Sequence, residues 1–181
     1  MNKSVNELLE IYKDQQCDIC EHLETLIKYA KLCNHITEFG MRTGVSTVAF
    51  LSTCPKKLIT CDIDKHEDIL NIFENYAIEN QFEFEFIHAN DLTIELNETD
   101  LLFIDTMHNY LHLKQELSIH GNKAKKYLIF HDTEIFGNRD DFGSGPGLLK
   151  AINEFLDENK HWKIKEIFTN NNGLMILERI K

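Results

Sequence analysis

The stretch from Ile36 to Ser46 reads I-T-E-F-G-M-R-T-G-V-S and constrains the fold more than any other part of the chain. A short run containing Glu38 leads to Gly40, and Gly44 follows just before a helical pattern. Glycines let the backbone approach a ligand closely, and a helix that begins there presents its first amides to that ligand. A dinucleotide-binding turn reads G-x-G-x-x-G, whereas an acidic residue precedes the first glycine here. The stretch predicts a strand, a ligand-binding turn and a helix; an ordinary strand-to-helix corner is the alternative.

The composition narrows the class of partner. A chain of 181 residues suits one domain, and a net charge of −11 disfavours binding to a nucleic-acid backbone. No apolar run approaches the roughly 18 residues of a membrane helix, and the polar N-terminus lacks a signal core. We therefore expect a cytoplasmic protein with reduced cysteines, acting on a small molecule or sugar without nucleic acid or membrane. The sequence leaves open whether the chain forms a homo-oligomer.

The first 35 residues predict two helices, because an apolar stripe at helical spacing occurs twice. Cys17 and Cys20 have a C-x-x-C spacing that invites a zinc or redox interpretation. The later Cys33 and His35 do not form a matching second pair, and no strand precedes the motif as in redox proteins of the thioredoxin type. Neither interpretation is favoured.

Beyond the glycine turn, the apolar run at 58–63 predicts a buried strand with an aspartate at its carboxyl end. An aspartate about twenty residues after such a turn accepts the ribose hydroxyls of a nucleoside. Asp62 is our candidate, with Asp64 as the weaker neighbour and a solvated strand end as the alternative. The sequence F-E-F-E-F at 82–86 alternates strictly, which predicts a strand at the edge of the sheet.

Two features close the chain. The polar segment 134–146 is long enough to be a lid over a substrate or a disordered loop. Two strand patterns then flank Asn170 to Gly173, which predicts an antiparallel hairpin.

The pattern E-x-G-x-x-x-G-x-S resembles the first motif of class I S-adenosylmethionine-dependent methyltransferases, and the order of elements resembles theirs over about residues 36–179. The resemblance implies an α/β, Rossmann-like fold with a seven-stranded, mostly parallel sheet, helices on both faces, a C-terminal antiparallel hairpin and two extra N-terminal helices. It implies a single domain over 1–181, with the helices in 1–35 and the core in 36–181. The implied contacts to S-adenosyl-L-methionine are Glu38, Gly40, Met41, Thr43, Gly44, Ser46, Asp62, Asn90, Asp91 and Asp105.

The run D-L-L-F-I-D-x-x-H, which ends at His108, resembles the fourth strand of the metal-dependent small-molecule O-methyltransferases. That group contains the catechol enzymes and relatives acting on macrolide sugars and in cephalosporin biosynthesis. The resemblance implies that Asp105 is a metal ligand and that His108 is the general base. An imidazole suits this role because it titrates near neutrality. A histidine satisfied by an ordinary hydrogen bond is the alternative.

The next strand ends in His131 and Asp132, on the same edge as Asp105. Oxygen ligands from the two aspartates suit Mg²⁺, whereas a nitrogen ligand from His131 favours Mn²⁺ or another transition metal. The sequence departs from the family here, since catechol enzymes carry asparagine where this chain has Thr133. A site without metal therefore stays open.

Together these features predict transfer of a methyl group from S-adenosylmethionine to a hydroxyl group. Two alternatives come from other classes: a binding module that holds the cofactor without chemistry, and a nucleotide-dependent sugar-modifying enzyme. The missing G-x-G-x-x-G argues against the second.

Overall fold

The computed structural model describes residues 3–180 and shows a seven-stranded sheet. The strands are β1 His35–Phe39, β2 Lys57–Asp62, β3 Glu83–His88, β4 Thr99–Ile104, β5 Ala124–His131, β6 Trp162–Phe168 and β7 Leu174–Arg179. They lie in the order β3-β2-β1-β4-β5-β7-β6, with β1 to β5 parallel and β7 antiparallel to both of its neighbours. The predicted fold class, including the terminal hairpin, is confirmed.

Helices cover both faces of the sheet. They are α1 Val5–Lys13, α2 Leu23–Ala30, α3 Val45–Leu51, α4 Glu67–Glu79, α5 Tyr110–His120 and α6 Leu148–Glu158. The first four pack into a hydrophobic core on one face, and α5 and α6 pack into a second core on the other. Within residues 3–180, none of these helices is long and apolar enough to cross a membrane.

Strand β4 shows why the interior of the sheet is apolar. Leu101 and Phe103 belong to the core under α1 to α4, whereas Leu102 and Ile104 belong to the core under α5 and α6. A parallel strand covered on both faces has no wet side, so its sequence is a continuous apolar run. Polar residues with a chemical role are therefore restricted to the strand ends.

The alternating strand β3 lies at the edge of the sheet, as predicted. Phe84 and Phe86 pack against the first core, and Glu83 and Glu85 are exposed. The charged side chains cover an edge that would otherwise offer unpaired backbone groups.

Cys17 and Cys20 form a disulfide, so the expectation of reduced cysteines is wrong for this pair. A short 3₁₀ turn at Cys20–His22 brings their Cα atoms to 5.3 Å, within the range that a disulfide spans. Sequence reasoning weighed metal and redox roles for this spacing but not a structural bridge. Cys33, Cys54 and Cys61 are free.

The segment 134–146 contains no α-helix and packs against the start of α5. The backbone amide of Asp141 donates to the carbonyl of His108 at 3.3 Å, and that of Tyr110 donates to the carbonyl of Pro146 at 3.1 Å. These bonds place the segment beside the residues that follow β4.

Candidate functional site

A cavity of about 340 Å³ opens at the carboxyl ends of β1, β2 and β4. Ligands of open parallel sheets bind at this edge, where the chain turns from one half of the sheet to the other. The volume lies in the range of roughly 300–1,000 Å³ found for small-molecule sites. The predicted cofactor residues that line it are Gly40, Asp62, Asn90, Asp91 and Asp105.

The two glycines of the turn are required by close packing within the protein. Gly40 has a φ of +87°, and a Cβ there would overlap the backbone carbonyl oxygen of Asp105. Gly44 has a φ of +81°, and a Cβ there would lie 2.6 Å from the ring of Phe73. Glycine adopts such angles without steric cost. Gly40 thus lets the ends of β1 and β4 meet beside the cavity.

Glu38 is fully buried and is not among the cavity-lining residues. Its carboxylate accepts hydrogen bonds of 2.6 Å from the hydroxyls of Ser46, Thr47 and Thr60. Burial raises its pKa and the three hydroxyls lower it, and the result is a pKa of about 7. The carboxylate therefore ties α3 and β2 to β1. A contact between Glu38 or Ser46 and the cofactor stays a prediction.

Two more predicted contacts lie elsewhere in the turn. Met41 is buried in the first core, and Thr43 lines a separate, more open depression beside His66. Neither residue lines the cavity at the ends of β1, β2 and β4, and Gly44 does not line it either. Their roles in cofactor binding stay predictions.

Asp62 is held by the backbone around it. Its two carboxylate oxygens accept the amides of Arg42 at 2.6 Å and Asp64 at 2.9 Å. Each carboxylate oxygen has a second lone pair, so the side chain can also accept hydroxyl groups from the cavity. Arg42 is fixed in turn by an ion pair of 2.6 Å with Asp18.

The corner after β3 directs its two polar side chains differently. Asn90 accepts the amide of Leu92 at 2.9 Å and so caps the short 3₁₀ turn that follows. Asp91 is buried, and its carboxylate lies 3.3 Å from His112 Nε2 on α5. Both residues line the cavity.

Four side chains at or just after the carboxyl ends of β4 and β5 converge beside the cavity. His108 Nε2 lies 2.8 Å from Asp132 Oδ2 and 3.6 Å from Asp105 Oδ1. His131 Nδ1 lies 3.4 Å from Asp105 Oδ2 and 3.3 Å from Asp132 Oδ2. The ring of His108 stacks on Phe136 with a centroid distance of 4.6 Å. The structure thus brings together the predicted base and all three predicted metal ligands.

These residues fit a divalent cation. His131 Nε2 lies 3.0 Å from the carbonyl of Asp18 and 3.2 Å from that of Asn171, so this nitrogen carries a proton and leaves Nδ1 for the carboxylates. Within residues 3–180, His131 Nδ1 and Asp132 Oδ1 are buried without a hydrogen-bond partner. One imidazole nitrogen with two carboxylates suits Mn²⁺ or another transition metal better than Mg²⁺.

The backbone at this site is strained. Asp132 has a φ of +59°, in the left-handed region that residues with a side chain seldom adopt. Strained backbone angles cluster at binding and catalytic sites, where the surrounding structure holds them. The strain turns the chain directly after β5 and holds the carboxylate of Asp132 beside both histidines.

The carboxylates and imidazoles shift one another's pKa values. Burial lowers the pKa of His108 and His131, but the carboxylates of Asp105 and Asp132 outweigh it and raise these values to about 9 and about 10. Burial raises the pKa of each carboxyl, and the histidines more than offset this and hold both below their usual value. In the absence of a cation, the cluster is two ion pairs.

Sequence reasoning missed several residues of the site. Asp18 and Asn171 are remote in the sequence and contact His131 only through backbone carbonyls, so no side-chain pattern marks them. His112 and Glu116 did carry a signal: they are four residues apart on α5, where two side chains share one face of a helix.

Comparisons with known proteins bear on the fold. No protein-family profile and no curated protein matches the sequence. Solved structures do match it, and they include S-adenosylmethionine-dependent methyltransferases that cover nearly the whole chain.

Three of these structures contain the cofactor or its product. The N-methyltransferase NodS from Bradyrhizobium japonicum, in complex with S-adenosyl-L-homocysteine, has a TM-score of 0.66 and 12% identity, covering 99% of this chain and 100% of its own. The O-methyltransferase TomG from Streptomyces achromogenes, involved in tomaymycin synthesis and in complex with S-adenosylmethionine, has a TM-score of 0.63 and 10% identity, covering 100% of this chain and 91% of its own. An O-methyltransferase from Bacillus cereus has a TM-score of 0.60 and 13% identity, covering 100% and 92%.

These matches establish the fold of the chain. The chain has the α/β fold of class I methyltransferases, as the motifs predicted. Since NodS and TomG are named for different acceptor atoms, the fold alone leaves the acceptor undetermined.

Proposed function

We propose that this protein transfers a methyl group from S-adenosylmethionine to a hydroxyl group of a small molecule or sugar. The observation that carries the proposal is the position of Asp105. Asp105 lines the cavity at the switch point of the sheet, and its carboxylate also contacts His108 and His131. A cofactor in the cavity would therefore lie next to a group able to accept a proton.

The cavity residues support a nucleoside cofactor. Asp62 offers free lone pairs to ribose hydroxyls, and Asn90 and Asp91 lie at the corner where the adenine is expected. Gly40 lines the part of the cavity where the methionine part is expected. The net charge of −11 supports a small acceptor over RNA.

The reaction is a direct displacement. A lone pair of the substrate oxygen attacks the methyl carbon, the bond from carbon to sulfur breaks, and the hydroxyl proton passes to Nδ1 of neutral His108, since Nε2 faces Asp132. Because the two carboxylates raise the pKa of His108 to about 9, we expect turnover to rise with pH towards that value. Positioning of the two reactants supplies most of the acceleration. Phe136 holds the imidazole plane, and Asp105 and Asp132 direct its Nε2. A divalent cation, Mg²⁺ or Mn²⁺, held by Asp105, His131 and Asp132 would bind the substrate oxygen and favour its ionised form.

Two variants separate cofactor binding from turnover. His108→Gln should leave the affinity for S-adenosylhomocysteine unchanged and lower turnover by about 10²- to 10⁴-fold, the usual contribution of a general base. Asp62→Asn should weaken S-adenosylhomocysteine about tenfold, because it removes one charged acceptor of the ribose hydroxyls. Asp157→Asn, at an exposed position on α6, is the matched control and should change neither value.

Turnover is measured with S-adenosylmethionine labelled in its methyl group, against a panel of catechols and hydroxylated sugars. Wild-type affinity in Asp62→Asn would remove the ribose assignment. Binding without transfer to any acceptor would favour the non-catalytic module, and binding of NAD in place of S-adenosylhomocysteine would favour the sugar-modifying alternative.

A further inference from the structure

A second buried cluster lies beside the cavity that Asp105 also lines. It consists of Asp91, which follows β3, and of His112 and Glu116 on α5. His112 Nε2 lies 3.3 Å from Asp91 Oδ2 and 3.6 Å from Glu116 Oε1. We propose that Asp91, His112 and Glu116 bind a divalent transition-metal ion, with Zn²⁺ as the best fit, in the wall of the cavity.

Buried polar atoms of this cluster lack hydrogen-bond partners in the surrounding protein. Within residues 3–180, Asp91 Oδ2, His112 Nε2 and Glu116 Oε2 are buried atoms with no hydrogen-bond partner outside the cluster. Inside it, burial and the neighbouring Asp91 raise the pKa of Glu116 well above its ordinary value. The side chain of Glu116 is completely buried and that of Asp91 is 8% exposed. Leaving such groups unpaired is unfavourable, and unpaired carboxylates more so. A bound cation would satisfy all three residues at once.

The distances between the ligand atoms also fit a bound metal ion. Bonds of about 2.0–2.2 Å around a tetrahedral ion place neighbouring ligand atoms about 3.3–3.6 Å apart. The two distances from His112 Nε2, 3.3 and 3.6 Å, fall at the ends of this range. One imidazole and two carboxylates are also a donor set that transition metals accept, whereas Mg²⁺ and Ca²⁺ prefer oxygen alone.

Hydrogen bonds from neighbouring residues hold the three ligands in place. The hydroxyl of Thr106 donates to Glu116 Oε1 at 2.7 Å, and His120 Nε2 lies 2.9 Å from the backbone carbonyl of Asp91. Partners of this kind fix the orientation of metal ligands. Asn109 caps α5 through the amide of His112 at 2.9 Å and so fixes the first turn of the helix.

Asp91 and His112 also line the cavity, so an ion there would be reached from it. Three protein ligands leave a fourth tetrahedral position for water or a bound molecule. The metal would thus lie in the wall of the ligand cavity, and its protein ligands would differ from those of the Asp105, His131 and Asp132 cluster.

The test is calorimetric titration of chelator-treated protein with Zn²⁺ in an Asp132→Asn background. This substitution removes one carboxylate of the Asp105, His131 and Asp132 cluster and so weakens cation binding there, and asparagine tolerates the left-handed angle at that position. We expect one equivalent of Zn²⁺ to bind. Adding Glu116→Gln should weaken binding by more than about tenfold, since loss of second-shell partners alone costs 10- to 100-fold. Glu74→Gln, an exposed position on α4, is the control and should leave the affinity unchanged.

A second readout identifies the ligand. Addition of Co²⁺ should shift or broaden the ring resonances of His112, which are assigned by their absence in His112→Gln. This variant lies at a partly exposed position and keeps the test valid if Glu116→Gln fails to fold. No bound ion in folded Asp132→Asn protein, or equal affinity in Glu116→Gln or His112→Gln, would overturn the proposal and leave a proton shared between Asp91 and Glu116.

Discussion

The buried carboxyl of Glu38 should make the protein less stable as the pH rises. Its pKa is about 7 in the folded protein, against an ordinary value of 4.5. Between these two values the folded protein binds more protons than the unfolded chain, so the free energy of unfolding falls as protons are removed. From pH 5 to pH 8 the two pKa values give a loss of about 2.5 kcal/mol.

The variant Glu38→Gln isolates this effect. Glutamine cannot ionise at these pH values, and its amide can accept from and donate to the hydroxyls of Ser46, Thr47 and Thr60. Other groups, including the histidines, titrate equally in both proteins and cancel in the comparison. The free energy of unfolding of Glu38→Gln, minus that of wild type, should rise by about 2.5 kcal/mol between pH 5 and pH 8.

The assay is urea denaturation followed by circular dichroism at pH 5, 6, 7 and 8. Glu74→Gln removes an exposed carboxylate and should run parallel to wild type. A constant difference between Glu38→Gln and wild type would mean that burial does not shift the pKa. A difference that shrinks as the pH rises would mean that the three hydroxyls stabilise the ionised form more than burial disfavours it.

Two further predictions concern stability. Gly40→Ala should lower the free energy of unfolding by about 3 kcal/mol or more, because the new methyl group meets the carbonyl of Asp105 at a positive φ; a urea midpoint equal to wild type would refute this. Replacing Cys17 and Cys20 by serine should cost about 2 kcal/mol, the chain-entropy value for so short a loop, with Cys54→Ser as the control. Reducing agent should then shift the midpoint of wild type but not of the double variant.

The sheet was predictable because its sequence signals are local. The inner strands β2 and β4 are buried on both faces, so each appears as a largely apolar run, and the two runs stop at Asp62 and Asp105. The edge position of β3 followed from its alternation, and the hairpin from Asn-Gly between two strand patterns.

The directions of side chains were less predictable. Glu38 lies two residues before Gly40, yet its carboxylate is enclosed by three hydroxyls from α3 and β2. Which face a strand-end residue occupies depends on how the sheet is covered, and a single motif does not encode that.

Contacts between remote segments were the least predictable. The meeting of Asp91 with His112 and Glu116 depends on the packing of α5 against the corner after β3, and the contacts of His131 depend on the fold of residues 17–20. Local patterns specify elements and their ends, but distances between elements arise from packing.

The proposed function requires that the cavity lined by Asp105 binds S-adenosylhomocysteine, the product left when S-adenosylmethionine gives up its methyl group. Calorimetric titration with S-adenosylhomocysteine, once with Mn²⁺ and once with a chelator, tests it directly. We expect one site with a micromolar dissociation constant and a lower affinity in Asp62→Asn. Folded protein that gives no binding heat in either buffer would contradict the claim, because the cavity would then serve a different ligand.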